Sequence, residues 1–181
     1  FNKFPRIVRD LSKDLGKEVR LEISGREVEM DKTIIEGLNE PMTHMVRNAV
    51  DHGIESMDAR TRAGKPSFGT ISLKAYHEAG QVVVEIQDDG KGIDSAKVAT
   101  TALAKGLISQ EQLKGMSVKE ITSLIFLPGL STAEKVSDVS GRGVGMDVVK
   151  RNIDSLGGTI TVDDALRALR AIGTRYGEHD T

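Results

Sequence analysis

Cysteine and tryptophan are absent from this sequence, and aromatic residues make up only 3% of its 181 residues. Without cysteine the chain has no disulfide and no thiolate metal site, a composition that fits the reducing cytoplasm. No apolar run approaches the ~20 residues of a membrane span, and no signal-peptide pattern is visible. We therefore expect a cytoplasmic location and no direct membrane insertion.

The sequence also lacks an excess of charge of one sign. Its formal net charge is −2, with acidic and basic residues mixed along the chain and no basic arm. This distribution argues against nucleic acid as a partner. The length predicts one domain over residues 1–181, large enough to bury a core. Because the chain opens at Phe1 rather than methionine, we expect a piece of a longer protein.

Glycine, in contrast, is frequent, with 19 residues, and part of it is clustered. Gly90 and Gly92 form one cluster, and Gly141, Gly143 and Gly145 form another. Glycines let a backbone approach a ligand without a Cβ in the way. Both clusters are therefore candidate ligand contacts.

Hydrophobic periodicity predicts an α+β fold, a two-layer sandwich with helices on one face of a mostly antiparallel sheet. Its clearest β element is a hairpin with a turn at Glu78-Ala79-Gly80. Helices are predicted near 4–15, 56–63, 94–105, 109–114, 117–126 and 146–156, and strands at 19–23 and 159–162.

Two positions along the chain suggest breaks in these elements. Gly25 is expected to turn the first strand toward a short partner around Val28 and Met30. Pro41 is expected either to kink the helix that follows Asp31 or to begin the next helix.

A polar stripe lies on one predicted helix. With helical spacing, His44, Arg47, Asn48, Asp51 and His52 share one face, and apolar residues fill the opposite face. Asn, Asp and His are poorer helix formers than Lys, Glu or Gln, so solubility alone does not explain them. The stripe suits a metal–phosphate group, and an ordinary solvated helix face is the alternative.

A carboxylate follows the hairpin in Asp88-Asp89-Gly90-Lys91-Gly92. At the end of a buried strand, Asp88 can accept a hydrogen bond from an exocyclic amine such as that of adenine. The two glycines would let the backbone pass the ring and sugar. A simple Asp-Gly turn is the alternative.

The second glycine cluster, Gly141-Arg142-Gly143-Val144-Gly145-Met146, precedes a predicted helix and is a candidate cradle of backbone amides for an anion. It lacks the preceding strand of a Rossmann site, and the chain has no P-loop sequence. The loop 128–140 has the length of a lid, and a disordered connector is the alternative. Its candidate phosphate contacts are Ser131, Thr132 and Lys135.

These motifs, in this order, resemble the GHKL (Bergerat) ATP-binding fold shared by histidine kinases, the DNA gyrase ATPase subunit, the ninety-kilodalton heat-shock chaperone and MutL. Asn48 to Asp51 matches its N box, and the glycine clusters match its two glycine boxes. Four separated stretches are similar to the kinase domain of the CheA family of bacterial chemotaxis histidine kinases. They begin at Phe4-Pro5-Arg6, His44, Pro128-Gly129 and Val139-Ser140.

The resemblance implies transfer of the ATP γ-phosphoryl group to a histidine, with Mg²⁺ as cofactor. Asn48 would bind Mg²⁺ through its amide oxygen, with His44 as a further candidate ligand, and Asp88 would accept the adenine amine. His44 is also the candidate base, and Arg47 either neutralises charge or holds its helix in an ion pair. The implied ATP contacts are Asn48, Asp51, His52, Asp88, Gly90, Lys91, Gly92, Ile93, Ser131, Thr132, Lys135, Gly141, Arg142, Gly143, Val144, Gly145 and Met146.

The phosphorylated histidine is expected outside this chain, because His44 lies in the nucleotide-gripping helix and cannot be presented in line to its own ATP. The implied acceptor is a histidine phosphotransfer domain, in trans or on the same parent chain. A chemoreceptor and a coupling protein would contact other domains of that parent, which the resemblance makes a homodimer through another domain.

Two other functions are compatible with the nucleotide motifs. A GHKL ATPase clamp would hydrolyse ATP to drive dimer closure, but such proteins carry a glutamate base at the start of the N-box motif, where this chain has His44. A non-catalytic nucleotide sensor would bind ATP without transferring phosphate to any partner.

The resemblance is expected to end near Val162, which makes residues 163–181 an atypical tail. The family continues with a glycine-threonine pair and an apolar strand that completes the sheet. Gly173-Thr174 is present, but residues 175–179 do not read as a core strand. Helical spacing is instead shown by Ala165, Leu166, Leu169 and Ile172.

Overall fold

A computed structural model of the chain describes residues 1–130, 145–163 and 168–172. These ranges contain both helices and strands, and runs of helices and of strands are partly segregated along the chain, as in an α+β fold. In chain order they are α1 (Phe4–Leu15), β1 (Val19–Ser24), α2 (Lys32–Asn48), a π-turn (Ala49–Gly53), α3 (Met57–Arg62), β2 (Gly69–Glu78), β3 (Gln81–Asp88), α4 (Ser95–Ala104), α5 (Gln110–Lys114), α6 (Val118–Ser123), a 3₁₀ turn (Leu124–Phe126), α7 (Met146–Ser155), β4 (Thr159–Asp163) and β5 (Ala168–Ile172).

The five strands form one sheet in the order β1-β2-β3-β5-β4. The β1–β2 pair is parallel, and the other three pairs are antiparallel. At the predicted hairpin, Ala79 (φ 50°) and Gly80 (φ 73°) both have the left-handed conformation that a two-residue turn of type I′ requires. The mostly antiparallel sheet and its hairpin are confirmed.

Helices α1, α2 and α7 pack on one face of this sheet. Alternate residues of β2 and β3 point to that face, with Leu73 opposite Ile86 and Ala75 opposite Val84 in the register. Burial of this apolar surface is the main favourable contribution to folding. The cluster includes Phe4, Val8, Leu38, Met42, Met45, Val46, Val50, Ile71, Leu73, Ala75, Val82, Val84, Ile86, Val149, Ile153 and Ile160.

A smaller apolar cluster lies beneath the segment after α4. It is centred on Ala102, Leu124 and Leu130, with partly buried residues of α4 and α6 against it. Within the described ranges, none of the helices combines the length and the apolar character needed to cross a membrane.

Two predicted elements differ in the structure. The helical spacing near the end of the chain is wrong over Ala168–Ile172, which is strand β5 and pairs with both β3 and β4. Five residues are too few for periodicity to distinguish helix from strand, and two flanking ladders outweigh local preference. Residue 173 and those beyond it lie outside the described residues.

The expected strand around Val28 and Met30 does not form. Gly25 does turn the chain, with φ 82°, but β1 pairs with β2 instead. Val28 and Met30 pack against the core from an irregular segment, so their apolar character reflects burial rather than a strand. The structure also excludes a new helix at Pro41, because α2 continues across it.

Candidate active site

Helix α2 carries the polar stripe, and its two sides differ in burial as predicted. The helix begins at Asp31, whose side chain accepts a hydrogen bond from the Thr33 amide at 2.7 Å. His44, Arg47 and Asn48 are half-buried. The apolar side is buried at Met42, Met45, Val46, Ala49 and Val50.

The last turn of this helical segment is wider than an α-turn. Across Ala49–Gly53, the Ile54 amide donates to the Ala49 carbonyl at 2.8 Å. Such i→i+5 turns occur frequently at functional sites. Asp51 and His52 are exposed and depart here from regular α-helical spacing.

Lys17, just after α1, contacts this π-turn. Its ammonium donates to the carbonyls of Val50 at 2.8 Å and Asp51 at 2.6 Å. The pKa of Lys17 lies below its ordinary value. Burial is the main cause and the charge of Lys91 adds to it, whereas the charge of Asp51 acts in the opposite direction. The contact joins the N-terminal helix to the end of the N box, and nothing in the local sequence predicts it.

The end of the π-turn, just after the N box, meets the first glycine motif. Asp88, at the end of β3, accepts a hydrogen bond from the Gly90 amide at 2.9 Å. The Lys91 amide donates to the Gly53 carbonyl at 3.0 Å. A Cβ on Gly53 would lie 3.1 Å from either carboxylate oxygen of Asp88, and one on Gly90 would lie 2.0 Å from the Gly53 oxygen.

This close approach brings Gly53, Asp88 and Gly90 into contact, as an adenine-binding site built from these two motifs requires. Gly92 has φ 78°, Ile93 is half-buried and Lys91 is exposed. The alternative of a simple Asp-Gly turn does not account for a second glycine packed against the same carboxylate.

Asn48 connects the N box to the end of the second glycine motif. Its Nδ2 lies 3.6 Å from the Met146 sulfur, across 98 residues of sequence. Gly145 is the N-cap of α7, and its carbonyl accepts from the Val148 amide at 3.1 Å. The remaining predicted contacts in this part of the chain lie outside the described residues: Ser131, Thr132, Lys135, Gly141, Arg142, Gly143 and Val144.

The environment of His44 disfavours its cationic form. Burial, and next the positive charge of Arg47, lower the pKa of His44 below its ordinary value of 6.5, against a smaller opposing effect of Glu40. The Arg47 Nε is itself buried without a hydrogen-bond partner in the described part of the chain. Burial lowers the pKa of Lys3, and the positive charge of Arg47 lowers it further.

We expect the His44 imidazole to titrate below pH 6.5, because burial and Arg47 both oppose its protonation. Between the pKa of His44 in the folded chain and its higher pKa in the unfolded chain, the unfolded chain binds more protons. The free energy of unfolding therefore falls as the pH drops below 6.5 toward the folded pKa. The measurement is the pH dependence of the imidazole carbon-bound proton shifts, with the signal assigned by its loss in His44→Gln. A midpoint at or above 6.5 would contradict this environment.

The sequence did not predict an ion network next to the first glycine motif, in which a buried arginine is the central cation. Arg60 is only 1% exposed, and with Lys65 it binds Glu55 and Asp89. The sequence shows only an arginine at the fourth position of a short helix capped by Ser56, and such an arginine alone indicates a solvated charge. The burial depends on contacts that are distant in sequence.

The described residues include no group of three or more His, Asp or Glu side chains placed to hold a metal ion. The donor set still fits Mg²⁺ bound together with a nucleotide, since that ion takes one or two protein oxygens and completes its shell with phosphates and water. Asn48 offers such an oxygen from a half-buried position.

Comparison with protein families decides the relationship. The model of the family described as "Histidine kinase-, DNA gyrase B-, and HSP90-like ATPase" matches residues 37–176. The chain belongs to this family. The match includes the N box, both glycine motifs and β5, so it extends past Val162, where the resemblance was expected to end.

The similarity to CheA kinases is confirmed by curated relatives. The chain is 52% identical over 163 residues to the sensor histidine kinase CheAY of Helicobacter pylori, covering 90% of this chain and 20% of that protein. It is 46% identical over 165 residues to the chemotaxis protein CheA of Bacillus subtilis, covering 91% and 25%. With the Treponema pallidum CheA it shares 48% identity over 176 residues, covering 97% and 21%. The chain thus spans a quarter or less of these relatives.

Solved structures confirm the ATP-binding fold. The histidine kinase domain of a blue-light activated histidine kinase from Erythrobacter litoralis superposes with a TM-score of 0.51 at 14% identity, covering 94% of this chain and 62% of that one. A longer structure of the same kinase gives a TM-score of 0.53 at 13% identity, covering 93% and 39%.

Proposed function

We propose that this chain is the ATP-binding catalytic domain of a chemotaxis histidine kinase, which transfers the γ-phosphoryl group of ATP to a histidine on a separate phosphotransfer domain. The observation that carries the proposal is the double contact of the helical segment from Asn48 to Gly53. Gly53 packs against Asp88 and Gly90, and Asn48 contacts Met146. Both glycine motifs of a family ATP site therefore meet one helix.

Phosphoryl transfer requires positioning and charge neutralisation more than covalent chemistry. In this proposal Asp88 accepts a hydrogen bond from the adenine amine, and Asn48 would hold Mg²⁺, whose charge would neutralise the phosphates. The proposal assigns His52 and Lys135 to contact the phosphates, and it assigns the backbone amides of Gly143 to Met146 to cap them. His44 lies near the γ-phosphate as the base.

The electrostatics of the α2 stripe support these roles. A neutral imidazole is the form that can accept a proton, and the lowered pKa of His44 favours that form at neutral pH. The Nε of Arg47 is buried and has no hydrogen-bond partner among the described residues, which supports a role in binding developing charge over a purely structural ion pair. The second role of His44, as a metal ligand, stays a weaker alternative because Asn48 offers the harder oxygen.

The partners follow from the proposed activity. The acceptor is a histidine phosphotransfer domain, in trans or on the parent chain. Chemoreceptor, coupling protein and dimerisation contacts belong to other domains of a longer, cytoplasmic parent protein. We also propose that residues 1–181 act as a single kinase domain.

ATP is expected to bind more tightly than GTP, because GTP carries a carbonyl where Asp88 needs an amine donor. The difference should be ~1–3 kcal/mol, the cost of an unpaired buried polar group. Calorimetric titration of both nucleotides measures it, and Asp88→Asn should reduce the preference. Asp14→Asn, at an exposed position of α1, is the matched control. Equal affinities for ATP and GTP in the parent chain would remove Asp88 from the adenine role.

A further inference from the structure

Arg60 is a buried charge on a short surface helix. Its side chain is 1% exposed, whereas Arg62 on the same helix is exposed. Burying a guanidinium costs free energy unless hydrogen bonds and opposite charges replace its water. The contacts of Arg60 therefore show what its burial is used for.

The Arg60 guanidinium joins three segments. Its Nε donates to the Pro66 carbonyl at 2.8 Å. Its Nη1 donates to Glu55 Oε1 at 3.1 Å and to the Asp89 carbonyl at 3.3 Å, and its Nη2 donates to Asp89 Oδ2 at 3.1 Å. One planar group thus connects the loop after α3, the short segment between the π-turn and α3, and the residue that follows Asp88.

Lys65 strengthens the same connection. Its Nζ donates to Glu55 Oε2 at 2.8 Å and to the carbonyls of Asp89 at 3.2 Å and Gly90 at 3.1 Å. Burial raises the pKa of Glu55. The hydrogen bond from Lys65 and the charges of Lys65 and Arg60 together lower it by more, so the pKa of Glu55 lies below its ordinary value. Two cations and two carboxylates balance, and the network adds no net charge beside a polyanionic substrate.

The peptide group between Asp89 and Gly90 links this network to Asp88. Its carbonyl accepts from Arg60 and Lys65, and its N–H donates to Asp88 Oδ1 at 2.9 Å. In a planar trans peptide the C=O and N–H point in opposite directions. Anchoring the carbonyl in the cation pair therefore aims the N–H at the Asp88 carboxylate.

A second anchor holds the same turn from the sheet. Asp89 Oδ1 accepts from the Thr70 amide at 2.9 Å, and the Asp89 amide donates to the Thr70 carbonyl at 3.2 Å. Hydrogen bonds thus hold the backbone at Asp89 from two sides, and the Gly90 amide of this backbone orients the Asp88 carboxylate.

We propose that Arg60 and Lys65 are positioning residues for adenine recognition: they clamp the Asp89–Gly90 peptide, which orients the Asp88 carboxylate toward the base. This inference rests on the proposed ATP-binding function. Neither side chain touches the nucleotide in this account. Their effect reaches it through one peptide group.

The test compares three ligands on the 181-residue chain: ATP, ITP and inorganic tripolyphosphate, each titrated by calorimetry. ITP carries a carbonyl at the position of the adenine amine, and tripolyphosphate reports the phosphate site alone. Arg60→Lys keeps the charge but loses the fork that reaches several acceptors. Lys65→Met removes the ammonium from a side chain that is 32% exposed, so it disturbs folding less. Arg62→Lys on the same helix is the control, since Arg62 is exposed and its Nε donates to the Asp58 carbonyl of its own helix.

We expect both variants to bind ATP about tenfold more weakly, with a smaller ATP-to-ITP preference and unchanged tripolyphosphate affinity. The control should match the parent chain in all three titrations. If Arg60→Lys does not fold, Lys65→Met alone decides the outcome by the same criteria.

Two results would overturn the inference. An unchanged ATP-to-ITP preference, with only a lower unfolding temperature, would make the network purely structural. An equal loss of ATP, ITP and tripolyphosphate affinity would show general damage to the site. In either case a parent chain that prefers ATP leaves the proposed function intact. A parent chain without that preference would instead reject the Asp88 assignment, and the inference with it.

Discussion

Replacing Asn48 by alanine is expected to reduce phosphoryl transfer by about a hundredfold or more. Mg²⁺ stabilises the transferring phosphates by several kcal/mol, and each 1.4 kcal/mol is about tenfold in rate. Asn48 is half-buried, and its side-chain amide contacts the Met146 sulfur. The measurement is the initial rate of label transfer from ATP to a phosphotransfer domain, over a range of Mg²⁺ concentrations.

Asn39→Ala is the matched control, because Asn39 is an exposed asparagine on the same helix. It should transfer phosphate at the rate of the parent chain. Turnover of Asn48→Ala within a factor of two of the parent would remove Asn48 from the metal role. Rescue at raised Mg²⁺ would support that role.

Gly90→Ala is expected to weaken ATP binding by about tenfold or more and to lower the unfolding temperature. Its Cβ would lie 2.0 Å from the Gly53 oxygen, 2.4 Å from the Gly53 carbonyl carbon and 2.8 Å from Asp88 Oδ1. Two of these three atoms belong to the backbone, so either the Gly53 backbone or the Asp88 carboxylate must move. Overpacking of this kind typically costs 1–3 kcal/mol. Calorimetric titration with ATP and a thermal unfolding curve measure the two effects.

The same substitution at Gly115 is the control for glycine loss itself. Gly115 has φ −92°, and a Cβ there would meet only the Gln112 oxygen, at 3.9 Å. Gly115→Ala should bind ATP as the parent chain does. Parent-like ATP affinity in Gly90→Ala would show that the close approach of the two motifs has no role in nucleotide binding.

Much of the fold was predictable because its signals are local. The hairpin turn needs two residues in the left-handed conformation, which Ala79 and Gly80 adopt between two strands of alternating apolar residues. The helix caps at Asp31, Ser109 and Asp94 likewise depend on residues two or three positions away. The buried side of α2 followed from helical spacing.

The elements that were missed depend on distant partners. Strand β5 exists because β3 and β4 both pair with it, which a five-residue pattern cannot reveal. The parallel pairing of β1 with β2 joins segments separated by α2 and α3.

The candidate site divides in the same way. The residue types of the N box and glycine motifs predicted which chemistry to expect, and the structure brings Gly53, Asp88 and Gly90 together. The π-turn and the buried guanidinium of Arg60 could not be predicted, since each depends on contacts made only in the folded chain.

The most direct test of the proposed function is incubation of the chain with labelled ATP, Mg²⁺ and a separately prepared histidine phosphotransfer domain. The account predicts that the chain binds ATP, does not label itself and labels the added domain. Transfer should be slow, because no tether raises the local concentration of the acceptor. His44→Gln should slow the transfer more than it weakens ATP binding, since its contribution is to the transition state. A variant of the acceptor domain without its histidine should remain unlabelled.

Three results would contradict this account. Label on His44 of the chain itself would reject transfer in trans. Release of inorganic phosphate without labelling of the acceptor would indicate an ATPase clamp. ATP binding with neither hydrolysis nor transfer would indicate a nucleotide sensor.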